Sequence, residues 1–80
     1  MSAITFAQAK TLTLAFLDQW LKSLPASERT MPRMMLYNRL TGKQEPYSVA
    51  TLIVQVQRET PVGKEYINMH TTQLNYVIQG

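Results

Sequence analysis

Cysteine is absent from this chain of 80 residues. No disulfide can therefore stabilise a small core, and no thiolate is available for a structural zinc site. This composition suits a reducing compartment, so we expect a cytoplasmic protein. A chain of this length is expected to form one domain, residues 1–80, and to bury somewhat over ~60% of the surface that its unfolded form exposes. Packing or oligomerisation must then supply its stability.

Long apolar runs and catalytic motifs are also missing. No window of 18 apolar residues occurs, so the sequence predicts no membrane-spanning helix and no membrane partner. His70 is the single histidine, and because a metal site needs three or four ligands, we expect it to be a structural or surface residue, with no metal and no cofactor. No glycine-flanked nucleophile elbow or complete phosphate-binding loop is present. We therefore expect no catalysis.

The clearest positive signal is an amphipathic helix over Thr5 to Leu24. Its predicted core face repeats at gaps of three and four residues and consists of Phe6, Ala9, Thr13, Phe16, Trp20 and Leu24. Thr5 and Gln8 match a capping box at the start. Pro25 marks the end, because the residue before a proline is disfavoured in helical angles. The rest of the fold is expected to pack around this helix.

The apolar surface of this helix is wider than one stripe. The additional apolar positions are Leu12, Leu14, Leu17 and Leu21. A surface helix of a small protein usually needs an apolar stripe of only a little over ~100°. Either the remaining chain wraps the helix from two sides, or part of this surface contacts a partner or a second copy.

The middle of the chain is ambiguous between helix and strand. Residues 25–32 have the composition of a loop. Residues 33–40 are short and apolar, and we favour an extended piece that enters a turn at Thr41-Gly42-Lys43. A sulfur-rich apolar cluster either covers the first helix or forms an adaptable docking patch. It consists of Met31, Met34, Met35, Leu36 and Tyr37.

The C-terminal half contains two further predicted helices. Ser48 is a candidate N-cap for a helix that begins at Val49, although the β-branched residues there would also suit a strand. Thr60 would cap a third helix with Pro61 at its first position, or the same residues would form a hairpin turn. Residues 64–78 contain apolar residues at helical spacing, but the alternation at Leu74, Tyr76 and Ile78 would also suit a strand.

We therefore predict a mainly α fold, a small three-helix arrangement around the long N-terminal amphipathic helix. The alternative is an α+β fold in which the same helix packs on a small antiparallel sheet formed from residues 33–78.

The charge is mildly basic, with eight Lys and Arg against five Asp and Glu and a net charge of +3. Half of the basic residues, namely Arg29, Arg33, Arg39 and Lys43, lie between positions 29 and 43. They would be the phosphate contacts if the protein bound nucleic acid, but only Tyr37 supplies an aromatic side chain among them. A solvated connecting segment is the alternative interpretation.

These patterns favour a protein–protein interaction or assembly module, such as a subunit, adaptor or chaperone of a larger complex. The partner would be another protein or a second copy. The predicted interface residues are Leu12, Leu14, Leu17, Leu21, Met34, Met35 and Tyr37. The alternative function is a small nucleic-acid-binding or regulatory protein that uses residues 29–43.

Overall fold

The computed structural model describes residues 2–79 and gives the chain an α+β fold. In chain order its elements are β1 (Ser2–Thr5), α1 (Phe6–Ser23), β2 (Met34–Asn38), β3 (Lys43–Tyr47), α2 (Val49–Gln57), α3 (Pro61–Gln73) and β4 (Tyr76–Gln79). The prediction of a mainly α three-helix fold is wrong, because four strands accompany the helices. The α+β alternative fits, with its antiparallel sheet confined to β2 and β3.

The error lies in the strands, since the three predicted helices all form. β1 and β4 have four residues each, which is too short for periodicity to distinguish a strand from a lead-in or a helix end. The alternation at Leu74, Tyr76 and Ile78 agrees with β4 at Tyr76 and Ile78 only. Leu74 lies outside the strand, because α3 ends at Gln73 and a turn at residues 74–75 precedes β4. The predicted extended piece at residues 33–40 is confirmed as β2.

Local capping explains where the helices begin and end. Thr5 Oγ1 accepts from the Gln8 backbone N–H at 3.2 Å, and Gln8 Oε1 accepts from the Thr5 N–H at 2.9 Å, so the predicted capping box is confirmed. Leu24 has an extended backbone before Pro25 and stops α1. Each of these contacts satisfies a backbone group that the helix leaves unpaired.

The shorter helices begin at the predicted caps. Ser48 Oγ accepts from the Thr51 N–H at 3.2 Å and starts α2. Thr60 Oγ1 accepts from the Gly63 N–H at 3.1 Å, with Pro61 at the first helical position. A hairpin turn at Thr60 and Pro61 is therefore ruled out by the structure, and α2 and α3 are joined by a short connection instead.

The core lies between the three helices and the end of β3. Its buried hydrophobic side chains are Ala9, Leu17, Tyr47, Val49, Leu52, Val56, Val62, Tyr66 and Ile67. α2 and α3 lie close together at Gly63, where a Cβ atom would clash with the backbone of Gln55 and lie 2.9 Å from the Val56 Cα. Glycine at this position allows the two helix backbones to touch.

The four strands form two separate two-stranded sheets. β2 and β3 make an antiparallel hairpin, in which Met35 pairs with Pro46 and Tyr37 with Gln44. β1 and β4 make a parallel pair, which we call the terminal ribbon. Ile4 and Ile78 on its inner face pack against the core. The hairpin and the terminal ribbon are thus two separate sheets, and each packs against the helical core.

Candidate protein-interaction surface

The outer side of the hairpin carries exposed apolar side chains. Along β2, residues alternate between partly buried and exposed. Met34 and Leu36 pack against the core, whereas Met35 is 55% and Tyr37 is 48% exposed. Gln44 and Pro46 are their cross-strand neighbours. We call Met35, Tyr37, Gln44 and Pro46 the hairpin face.

The turn of the hairpin is held by side-chain hydrogen bonds that the local sequence supplies. Asn38 Oδ1 accepts from the Leu40 N–H at 2.9 Å, and Asn38 Nδ2 donates to Glu45 Oε1 at 2.7 Å across the two strands. Gly42 has a φ of +70°, which is accessible to glycine at little cost. These contacts set the register that directs Met35 and Tyr37 outward.

Below the turn, Glu45 also organises the inner side of the hairpin. Tyr47 donates its hydroxyl proton to Glu45 Oε1 at 3.2 Å. Burial raises the pKa of the Tyr47 hydroxyl, and the hydrogen bond to Glu45 and its negative charge add to the effect. Tyr47 therefore stays neutral and anchors the end of β3 in the core. The inner side of the hairpin, opposite the hairpin face, is thus packed against the core through Tyr47.

Basic residues flank the hairpin strands in sequence, and two of them pair with acidic residues. Arg33 Nη2 lies 2.9 Å from Glu28 Oε1, and Arg39 Nε lies 3.7 Å from Glu65 Oε2. Arg29 donates from Nε to the Leu24 carbonyl oxygen at 3.3 Å. Lys43 is exposed at the start of β3. The four predicted phosphate contacts are therefore near the hairpin in sequence, but their charges are partly compensated.

The predicted interface residues divide into three groups. Leu17 is completely buried, so it belongs to the monomer core and is not available to a partner. Leu14, Leu21 and Met34 are partly buried and pack against that core. The exposed members are Leu12, Met35 and Tyr37. The wide apolar surface of α1 is therefore mostly explained by the chain wrapping the helix, which covers Leu14, Leu17 and Leu21 but leaves Leu12 exposed.

Sequence reasoning assigned Phe16 to the core face, but the structure leaves it substantially exposed. Its ring stacks on the His70 ring with a centroid distance of 4.7 Å and lies 5.9 Å from the Trp20 ring. Phe16 therefore covers His70 instead of entering the core, and with Leu12 it forms an exposed apolar flank of α1. Helical periodicity alone does not distinguish the centre of a buried stripe from its margin.

His70 is buried between α1 and α3. The Thr13 hydroxyl donates its single proton to the Ala9 carbonyl oxygen at 2.9 Å. In the 3.1 Å contact between Thr13 Oγ1 and His70 Nδ1, the histidine N–H is therefore the donor and the hydroxyl oxygen the acceptor. Phe16 and Tyr66 stack on the ring from α1 and α3. Burial lowers the pKa of His70. This environment keeps the imidazole neutral and ties it to α1.

Across residues 2–79, the structure has no cluster of three His, Asp or Glu side chains suited to a metal ion. Within the same residues, no helix is long and apolar enough to cross a membrane.

Comparisons with protein-family models, with curated proteins and with solved structures give no match to this chain.

Proposed function

We propose that this chain is a protein–protein interaction or assembly module that docks a partner on the hairpin face. The observation that supports this proposal is the exposure of Met35 and Tyr37 side by side on β2. Tyr, Met and Arg are enriched in protein interfaces, and the hairpin face combines Met35 and Tyr37 with arginines at its rim. Methionine adapts its shape to a partner, and tyrosine adds area at little entropic cost.

The rim of the hairpin face supports the same proposal. Arg33 Nη2 donates to Glu28 Oε1 at 2.9 Å, so the Arg33 guanidinium group is already oriented before a partner arrives. Preorganised side chains lose less conformational entropy on binding. In this proposal the chain performs no catalysis, because its one histidine is engaged with Thr13 in the helical core. A cytoplasmic location is part of the proposal, supported by the absence of cysteine.

Site-specific photocrosslinking in the source cells tests the proposal. A photoreactive amino acid would replace Tyr37, and a matched control would carry it at Gln57, an exposed position on α2. We expect a discrete crosslinked protein from position 37 and none from position 57. The absence of a product specific to position 37, in a chain that is folded and expressed, would contradict the proposal.

The captured partner then allows a quantitative measurement with purified proteins. Tyr37→Ser and Met35→Ser should each weaken binding by at least about tenfold, because buried aromatic and methionine anchors dominate interface energies. Leu40→Ser is the matched control, since Leu40 is 80% exposed in the turn and lies outside the hairpin face. Equal effects of all three substitutions would show that binding does not depend on this surface.

A second candidate function, binding of single-stranded nucleic acid, is favoured by the exposure of Tyr37 between Arg33 and Arg39. An exposed aromatic ring flanked by basic side chains is a stacking platform for bases. Fluorescence anisotropy with a short single-stranded oligonucleotide should then show binding that weakens steeply with salt. Neutralising Arg33 and Arg39 together should weaken it further, whereas Lys22→Gln, an exposed position in the last turn of α1 outside the basic segment, should not. An affinity unchanged by the double substitution would exclude this candidate.

A further inference from the structure

The terminal ribbon is an incomplete sheet. β1 and β4 pair in parallel, with Ser2 opposite Tyr76, Ala3 opposite Val77, Ile4 opposite Ile78 and Thr5 opposite Gln79. Within residues 2–79 neither strand has a second neighbour. Parallel sheets are usually buried on both faces and contain more strands, and an isolated two-stranded sheet is marginal in water. Each strand here leaves one edge of backbone N–H and C=O groups without a strand partner.

The edges of the ribbon lack the features that normally prevent pairing with another chain. Proteins protect edge strands with charged residues, prolines or bulges. The ribbon strands, SAIT and YVIQ, contain neither a charged residue nor a proline. The hairpin strand β3 contains Lys43, Glu45 and Pro46. Of the four strands, only β3 therefore has this protection, while β2 (MMLYN) relies on neither charge nor proline and the ribbon leaves both of its edges open.

The distribution of charge makes the ribbon the region where a second copy of the chain meets the least repulsion. Every Lys, Arg, Asp and Glu lies between Lys10 and Glu65. The uncharged ends, residues 2–9 and 66–79, come together through the β1–β4 pairing. Two copies that each carry a net charge of +3 repel one another over most of their surface. At the ribbon they can approach without bringing like charges into contact.

We propose that two copies join through their β4 strands, antiparallel and around a two-fold axis, to form one four-stranded sheet. This inference rests on the proposed assembly function but uses a surface other than the hairpin face. β4 is the joining strand because three of its four residues, Tyr76, Val77 and Ile78, favour strands, whereas in β1 only Ile4 and Thr5 do. A two-fold axis makes such a contact self-complementary.

The register of this pairing follows from the two faces of β4. Val77 points outward and is 47% exposed, whereas Ile78 packs inward. Pairing Val77 with Val77 of the second copy places Tyr76 opposite Ile78, so the inward residues of both copies stay on one face. It also creates aromatic and β-branched cross-strand pairs, which stabilise antiparallel strands.

Mass in solution is the first test. Light scattering behind a sizing column should give about twice the chain mass of 9.2 kDa, falling to the monomer mass on dilution. Val77→Lys would place two like charges opposite each other at the axis and should yield a monomer with unchanged circular dichroism. Val54→Lys is the matched control, since Val54 is 39% exposed on α2, and should leave the dimer intact. A wild-type chain that is monomeric up to millimolar concentration would overturn the proposal and leave the edge to a strand of a different protein.

Cysteine crosslinking tests the strand and the register, including the case in which Val77→Lys fails to fold. Because the chain has no cysteine, a single introduced thiol reports one contact. Val77→Cys should form an intermolecular disulfide under mild oxidation. Ala3→Cys should not, because the two β1 strands would lie about 14 Å apart, three strand spacings, beyond the reach of a disulfide. Crosslinking of the Ala3 variant alone would overturn the assignment to β4.

The two proposals can fail separately. Tyr37→Ser should leave the dimer mass unchanged, because the hairpin face is not part of the β4 contact. A dimer without any partner at position 37 would therefore remove the proposed docking surface only. A partner at position 37 on a strictly monomeric chain would remove the β4 dimer only.

Discussion

The hairpin and the terminal ribbon are both two-stranded sheets, yet they depend on different parts of the molecule. Only residues 39–42 separate β2 from β3, whereas residues 6–75 separate β1 from β4. Closing a longer loop costs more conformational entropy. The hairpin needs only a short loop closure, and Asn38 and Gly42 hold its turn. The ribbon joins segments that are far apart in sequence, and α1 packs against both of its strands and α3 against β4.

The two sheets also differ in how they meet their surroundings. The hairpin exposes side chains on its face and is surrounded by charge, whereas the ribbon exposes backbone at uncharged edges. Side-chain surfaces recognise partners through shape and specific contacts, whereas an open strand edge pairs with any compatible strand. On this basis we propose that a different protein binds the hairpin face and that a second copy binds the ribbon.

Gly63→Ala should have the largest effect on stability and should affect the ribbon more than the hairpin. The added Cβ would clash with the Gln55 backbone and push α2 away from α3. We expect a loss of unfolding free energy on the order of 3 kcal/mol, because a backbone contact cannot relax as a side chain does. The ribbon should lose more amide protection than the hairpin, since it has no local source of order. Urea denaturation with hydrogen exchange measures both, and an unchanged midpoint would show that the helices do not touch here.

A smaller and more local effect is expected from Gly42→Ala. Gly42 has a φ of +70° and open space around its Cα, so the only cost is the left-handed backbone, about 1 kcal/mol. Gly42→Asn should cost less, because asparagine tolerates this conformation. Amide chemical shifts should change in the hairpin and not in the ribbon. Changes of equal size in both sheets would contradict the independence of the hairpin.

Acid should weaken the packing of α1 against α3 through His70. Burial lowers the folded pKa of His70 below its ordinary value of 6.5, so the unfolded chain takes up the proton first. The stabilising contribution is complete above pH 6.5 and is lost as the pH falls from there towards the folded pKa. Urea midpoints should therefore decrease over this interval. His70→Gln, which retains a donor for Thr13, should show no such decrease, and an equal slope in both proteins would assign the effect to another group.

The smallest effect should come from Glu65→Gln, which removes the contact between Arg39 and α3. The atoms are 3.7 Å apart and both side chains are well exposed. Exposed ion pairs of this kind contribute little, so stability should change by about 0–0.5 kcal/mol. Thermal unfolding at low and high salt measures the change. A larger loss would mean that the hairpin is not locally stable but relies on α3.

The helices were predictable because their signals are local. Capping residues at Thr5, Ser48 and Thr60 act on backbone groups within three positions, so their effect is visible in the sequence itself. The hairpin was partly predictable for the same reason, since β2 and its turn were expected. β3 was not, because Pro46 is a poor strand residue and only its pairing with Met35 makes the segment extended.

The candidate surface was less predictable than the fold. Met35 and Tyr37 were expected in an interface, and the structure leaves both exposed, but Leu17 has the same character in the sequence and is fully buried. Phe16 shows the reverse case, an expected core residue that covers His70 at the surface. Exposure depends on which elements pack on each side of α1, and the spacing of apolar residues carries no such information.

The sequence alone determined the positions of the helices, the absence of cysteine chemistry and the confinement of charge to residues 10–65. Local hydrogen bonds and composition act without knowledge of the rest of the chain. Only the tertiary structure decided that the uncharged segments meet as a parallel ribbon with open edges, because the packing of the helices determines whether strands so far apart in sequence come together. That long-range pairing turned a mainly α pattern into an α+β protein.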